Sequence, residues 1–495
     1  MRHSFLVDNG VAQGNVPASY FFCLPLDDLL ETVAPETDKA GYMDDVSLSY
    51  ETHGNPSVAA MSALDDLVML RDAYKTIGLE FNMSKVELVC AADSEITTRC
   101  AALGIKLVDT SKPDACIKIL GAPVGHTEAR KAWCKQRLER TQDMCSLLKD
   151  PDFHPRLAYT LLKHVHTPRA MYLAQCVHPD ITGDAMATFD DITLSTFKGI
   201  FGEDIKDYWI EHPSGGNIHR MARIAPRLYE RANTPRRPVE ESLTDFVLRQ
   251  LPIPTDLEDA AQSLSALGFY GAAWLQHSPE VNCAPQRYLS AMRIRCHAEK
   301  SNLPSWCSCG ERLLSSRHLL RCPWNSGFTA THRHNDTLAE LASCSRAHGI
   351  ITTVEPTCYA QADNRRPDIL FCLGPRSLAI DLTVVDPCGT SYVRQAAQTQ
   401  GHAASVAAAE KRDKHEENVQ AIGHRFAPIA VETYGHIDPT AFHTFHQVAM
   451  ALPHFQRKPF VGQMLTILAT GVQMGNASIL DSAVRRLARG QGLLH

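Results

Sequence analysis

No run of eighteen uninterrupted apolar residues occurs in the 495-residue chain, which argues against a membrane span. The N-terminus lacks the basic-plus-apolar architecture of a secretory signal. Sixteen cysteines without such a signal read as intracellular thiols and metal ligands rather than a disulfide framework. An excess of positive charge is missing too. The 49 Lys and Arg face 55 Asp and Glu, a formal charge of −6, so the whole chain does not announce a nucleic-acid binder. What remains is globular in composition, 44% hydrophobic and 21% charged, and long enough for roughly three or four domains.

Local patches set an electrostatic footprint even on an acidic chain. Arg130, Lys131, Lys135, Arg137 and Arg140 surround Trp133. Arg220, Arg223, Arg227, Arg231, Arg236 and Arg237 stand against one acid, Glu230. The spacing 220, 223, 227, 231 would place four arginines on one helical face, but Pro226 is expected to interrupt that helix. A solvated surface explains either patch equally well.

Tyr42-Met43-Asp44-Asp45, followed by apolar Val46 and Leu48, reads as the tip of a β-hairpin holding two acids together. Carboxylates suit Mg²⁺, a hard cation that takes oxygen ligands and binds substrate phosphates. A pair of such ions can clamp the attacking and leaving oxygens of phosphoryl transfer. An ordinary polar turn is the bland alternative. Residues 57–77 repeat apolar side chains at helical spacing, and Gly78 suits the helix stop. Around these stand Gly10 to Ser19, containing Gln13-Gly14, then Gly78 to Lys85, then Ile119 to Gly125.

In that order the segments resemble motifs B, C, D and E of the reverse-transcriptase palm of non-LTR retrotransposons. The resemblance implies catalytic roles for Asp44 and Asp45 on magnesium (or manganese). It places Lys85 near the incoming nucleotide, and Gln13 and Gly14 against nucleic acid. A surface lysine is the plain reading of Lys85. The family's polymerase also needs a third aspartate well before the glutamine-glycine segment. Only eleven residues precede Ala12, and Asp8 is too close to serve. The expectation is a C-terminal part of a longer polyprotein, without nucleotide addition of its own. Residues 131–300, including His212-Pro213-Ser214-Gly215-Gly216 and the arginine cluster, resemble the helical thumb and linker. That region would grip a duplex by its backbone through Arg220, Arg223, Arg227 and Arg231.

Cys307, Cys309, His318 and Cys322 follow the spacing C-x-C-x₈-H-x₃-C, and four such ligands can build a zinc tetrahedron. The first pair is tighter than usual, and Gly310 could supply the turn it needs. All four positions being filled points to a structural site. Reduced cysteines with a core histidine are the alternative. Farther on, Pro367-Asp368 leads one strand-like segment, and Asp381 sits inside a second, mostly apolar one. A charge in a buried strand is costly unless paired or bound to a metal. The thirteen-residue spacing fits a hairpin bringing both acids to one Mg²⁺, against the bland alternative of turn acids.

The set resembles the Cys-Cys-His-Cys knuckle and restriction-like, PD-(D/E)xK endonuclease of the same elements. The Asp-x-Lys of that motif is absent, because Thr383 stands in its place. By resemblance the lysine comes from the following helix, with Lys414 beside His415 preferred and Lys411 the runner-up. His334 of Arg333-His334-Asn335 takes a supporting or DNA-contact role. The expected fold is a multidomain α+β chain. It comprises a partial palm at 1–130, a helical thumb and linker at 131–300, and a zinc knuckle at 301–330. An α/β restriction-endonuclease-like domain at 331–455 and a helical tail at 456–495 complete it. The resemblance implies a nuclear enzyme that nicks target DNA and uses the element's RNA as template, with Mg²⁺ and Zn²⁺ as cofactors and no membrane partner. The competing reading is a catalytically dead relic that binds nucleic acid through its knuckle and arginines.

Overall fold

Asn55, Pro56 and Gly78 delimit the first long helix of the computed structural model. The structure describes residues 27–33, 37–42, 45–51, 53–234, 242–275, 284–298, 305–313, 315–359, 366–374 and 377–490. Helix α1 (Pro56–Thr76) starts where the Val58 N–H donates to Asn55 Oδ1 and Pro56 fills the first turn. Gly78, at φ 78°, follows its end in the left-handed region. The helix expected over 57–77 is present with its boundary moved by one residue.

The chain divides into two units. One comprises residues 1–140, 172–188 and 225–233, and the other residues 141–171, 189–224 and 234–495. In the first, β1 (Asp38–Tyr42) and β2 (Asp45–Ser49) pair antiparallel with Tyr42 opposite Asp45, as the expected hairpin requires. Asp44, Gln13 and Gly14 lie outside the described residues, as does the side chain of Asp45. A second two-stranded ladder, β3 (Glu87–Cys90) with β4 (Lys106–Asp109), is parallel and joined by α2 (Ser94–Leu103). The third, β5 (Cys116–Ile119) with β6 (Ala122–Gly125), is a hairpin. Its turn, Leu120 at φ 45° and Gly121 at φ 87°, has the two positive φ values that match strand twist. The Tyr172 hydroxyl donates to the Leu120 carbonyl across it. The first basic patch lies on α3 (Thr127–Glu139), where Lys131 pairs with Glu128 at 3.0 Å while Arg137 and Arg140 are exposed.

The helix α4 (Met221–Asn233) corrects one expectation, because it runs through Pro226 without a break. Its first turn is held from outside. The Met221 and Ala222 N–H groups donate to the two oxygens of buried Asp190, at 2.6 and 2.9 Å. A carboxylate at a helix N-terminus satisfies orphan donors and complements the dipole.

In the second unit the principal elements are α5 (Leu257–Leu267), α6 (Pro285–Arg295), α7 (Arg317–Arg321), α8 (Pro323–Ala347), β7 (Thr352–Val354), β8 (Ile369–Phe371), β9 (Leu378–Val385), α9 (His402–Gln420), β10 (Arg425–Glu432), α10 (Thr440–Ala449) and α11 (His454–Gly490). The fold is thus α+β, chiefly helical, with small sheets. The sheet order is β10-β9-β8-β7. Strand β8 is antiparallel to both neighbours, and β9 is parallel to β10 through the α9 crossover. Ile369, Phe371, Ile380, Ile429, Phe445 and Phe460 meet in the core beneath it. The first five residues of β9 are all buried, as the apolar run around Asp381 requires.

Two buried polar devices and one close helix contact hold this frame. Glu432, at the end of β10, accepts the Ala404 N–H at 3.2 Å and so anchors the first turn of α9. Arg295 is buried without a carboxylate and donates to the carbonyls of Gly215, Gly271 and Pro213 at 3.0–3.2 Å, and to that of Ala266 at 3.4 Å. The His212-Pro213-Ser214-Gly215-Gly216 segment therefore serves as a folded cradle of carbonyls. Helices α8 and α11 approach closely where α11 has glycines one turn apart. A Cβ at Gly471 would stand 2.5 Å from Thr337 Oγ1, and one at Gly475 would stand 2.2 Å from Arg333 Cγ. Helix α8 runs unbroken across residue 330, where the knuckle was expected to end, and α11 begins near residue 456, where the helical tail was expected.

Candidate functional site

The Cys/His spacing closes into one cluster. Ligand atoms of Cys307, Cys309, His318 and Cys322 all lie within 4.8 Å of one another. A Cβ-less turn makes this possible, since Gly310 has φ 87° and its N–H donates to the Cys307 carbonyl. The Sγ atoms of Cys307 and Cys322 are 3.6 Å apart, and Cys309 Sγ is 3.3 Å from His318 Nε2. Zinc with bonds of about 2.3 Å to sulfur and 2.0 Å to nitrogen needs tetrahedral edges of about 3.5–3.8 Å, so the donor set fits. His318 Nδ1 faces Glu311 Oε2 at 3.1 Å. A carboxylate on the far ring nitrogen fixes the imidazole so that Nε2 is the metal-binding atom. Glu311 had no visible signal in the sequence beyond its place between the ligands. The cluster can hold a metal ion such as zinc.

The second site is built on the β8–β9 ladder. Ile369 pairs with Ile380 at the end of the ladder, and Asp368 and Asp381 each lie one residue beyond that pair. The backbone fixes Asp368 firmly. Its N–H donates to the Ile380 carbonyl at 2.9 Å, and its Oδ2 accepts the Leu382 N–H at 2.6 Å. Its Oδ1 lies 3.4 Å from His334 Nε2, which projects from α8. Asp381 is 3% exposed, and α9 covers it. Lys411 Nζ is 2.6 Å from Asp381 Oδ1, and His415 Nε2 is 2.9 Å from Oδ2. Lys411 and His415 are one turn apart and share the face of α9 that packs on the sheet.

Two neighbouring like charges repel. Burial first, then the Asp368 charge, raises the Asp381 carboxyl above its usual value, and Lys411 opposes both. Burial likewise lowers His415, against the pull of Asp381. Lys411 is the cation in contact with the buried acid of the pair. The residues also fit magnesium, which takes one or two carboxylates and keeps waters and substrate phosphates for its other positions. Thr383, two residues beyond Asp381, keeps the place where a motif lysine would stand, and Lys411 reaches the same carboxylate from the helix.

The order of preference between the two lysines is therefore reversed. Lys414 is exposed on another face of α9, whereas Lys411 touches Asp381. The arginine cluster also changes character. Arg223 grips buried Glu211 with Nε and Nη2 at 2.6 and 3.1 Å, and Arg220 pairs with Asp207 at 2.8 Å. These two cations are engaged inside the second unit and are not free to receive phosphate. Arg227 and Arg231 belong to the first unit, where Arg231 is exposed. Lys85 is exposed on a 3₁₀ turn, Met83–Lys85.

No protein-family model matches the chain and no curated protein matches it, so a functional reading stands on its residues and their geometry.

Proposed function

We propose that the second unit is a Mg²⁺-dependent DNA endonuclease of the restriction-like kind, carried by part of a non-LTR retrotransposon polyprotein. Its task is to nick one strand of target DNA in the nucleus, so that the exposed 3′-hydroxyl primes reverse transcription of the element's RNA. The observation that carries this reading is that Asp368 and Asp381 each lie one residue beyond the Ile369–Ile380 pair, with Lys411 2.6 Å from the buried carboxylate.

Each residue then has a chemical task. Asp368 and Asp381 would hold a divalent cation by their oxygens, and such an ion would supply charge withdrawal from the phosphate and a more acidic water. Lys411, once it releases Asp381 Oδ1, donates to the attacking water and orients it. His415 keeps Asp381 in place from the other oxygen. His334 steadies Asp368 and faces the DNA side of the pair.

The test is relaxation of supercoiled plasmid by the full zinc-loaded chain with Mg²⁺, with Mn²⁺ and with neither. Nicking that needs the divalent ion and is abolished in Asp368→Asn and Asp381→Asn supports the nuclease. DNA binding without any ion-dependent nicking supports instead the relic that binds through its knuckle and surface arginines.

A further inference from the structure

Helix α7 carries two residues of the Cys/His cluster, His318 in its first turn and Cys322 immediately after its end. The same short helix presents two arginines to its neighbours. Arg317 Nε donates to Gln262 Oε1 at 2.8 Å and its Nη2 donates to Asp259, both on α5. Arg321 Nη1 donates to Glu258 Oε1 of α5 at 3.0 Å and to the Cys388 carbonyl at 2.9 Å. The Cys388 thiol closes this ring by donating to the Glu258 carbonyl, with its Sγ 3.4 Å from the oxygen.

The Cys388 segment continues the strand that bears the buried acid. Strand β9 ends at Val385, whose carbonyl accepts the Thr433 N–H at 2.9 Å, and Asp386 Oδ1 accepts the Cys388 N–H at 3.0 Å. Apolar packing follows the same route. Cys307, Leu319, Leu320 and Cys322 share one buried core with Cys388, Ala396 and Tyr434. The Cys/His cluster is therefore walled into the second unit. A helix of five residues is far below the roughly 12–15 needed for stability on its own. Helix α7 takes its shape from the ligands at its ends and from α5 and the Cys388 segment at its sides. Both sets of bonds order the same backbone, so each reduces the entropy the other has to overcome.

We propose that the Cys/His cluster is a clasp on the end of the acid-bearing strand, and that Arg321 is the positioning residue that couples the two. A metal held through His318 and Cys322 orders α7, α7 aims Arg321, and Arg321 fixes the Cys388 carbonyl seven residues beyond Asp381. The coupling needs no cleavage. Only its consequence, that losing the metal slackens the strand of Asp381, rests on the nuclease reading. Linkage makes the effect reciprocal: releasing the Cys388 segment weakens metal binding by the factor by which the metal tightens that segment.

The test uses the full chain with zinc as the only metal and no DNA, so its failure and failure of the nuclease reading are told apart. Zinc affinity is read by competition with a chromophoric chelator. Order of the strand end is read by hydrogen exchange over residues 385–397, where the N–H groups of Cys388, Gly389, Tyr392, Val393 and Ala396 are bonded. Arg321→Met should weaken zinc about tenfold although Arg321 is no ligand. With zinc saturating, the same variant should speed exchange over 385–397 about tenfold and leave α10 protected. Stripping zinc from the parent should speed exchange over the same residues and spare α10. Arg312→Met removes an exposed arginine that lies between the ligands in sequence and makes no bond to α5 or Cys388 among the described residues, and it should change neither quantity. The proposal is overturned if Arg321→Met binds zinc like the parent, or if Arg312→Met weakens zinc as much. It is equally overturned if stripping zinc leaves 385–397 protected, or exposes α10 to the same degree.

Discussion

Replacing Lys411 by alanine, beside the same change at Lys414, separates two lysines that the sequence leaves close together. Lys411 Nζ lies 2.6 Å from Asp381 Oδ1, whose side chain is 4% exposed. Breaking a fully buried ion pair costs about 3–5 kcal/mol because it strands a buried charge. Lys411 keeps 27% of its surface in water, and His415 still faces Asp381 at 2.9 Å, so the expected loss is nearer 2 kcal/mol. Lys414 is exposed, and its replacement should change stability by no more than about 0.5 kcal/mol. On nicking the contrast is larger. Loss of the group that orients the attacking water lowers rates by about 10²-fold, and Lys414→Ala should remain within about threefold of the parent. Single-turnover plasmid relaxation measures the rates, and denaturant titration the stabilities. Full activity in Lys411→Ala, or a loss in Lys414→Ala as large as that in Lys411→Ala, refutes the assignment of the water to Lys411.

Three further outcomes follow from the same contacts. The chain should bind one zinc, and Glu311→Gln should weaken it about 10–100-fold by loosening His318, read by competition with a chromophoric chelator; an unchanged affinity contradicts the role given to Glu311. Burial pushes the Asp190 carboxyl from the usual 3.8 up to about 6, against the two N–H bonds it accepts. Its folded value exceeds its unfolded one, so the stability gained by protonating it is complete below about pH 4 and is lost as pH rises through about 6, some 3 kcal/mol in all. Denaturation of the parent and of Asp190→Asn from pH 4 to 7 should diverge by that pattern, and a constant difference rejects it. Arg295→Met leaves four carbonyls without their donor, at about 1–3 kcal/mol for each that stays unpaired, and should cost about 3 kcal/mol or more by denaturant titration.

How far the sequence reaches differs from element to element, for physical reasons. Helix α1 is legible because Asn55, Pro56 and Gly78 act on their own backbone neighbours. The metal cluster is legible because its ligands lie within sixteen residues, and the β8–β9 pair because a carboxylate in an apolar strand is conspicuous. The choice between Lys411 and Lys414 was not legible. It depends on which face α9 turns to the sheet, and Ala403, Ala404, Ala407 and Ala408 decide that by packing. The arginine cluster misleads for a related reason. Its neutralising acids, Asp207 and Glu211, lie thirteen and twelve residues upstream, on a short helix that only the fold brings back. Pro226 was read as a break, yet α4 continues through it, with Asp190 anchoring its start.

Helix α8 begins next to the last cysteine of the metal cluster and reaches the acid pair without interruption. Trp324 and His334 are ten residues apart on it, a rise of about 15 Å at 1.5 Å per residue. A helix of this length, seated along α11 through Gly471 and Gly475, behaves as a stiff rod. It acts as a ruler, setting a constant interval between the Cys/His cluster and the acid pair of the sheet.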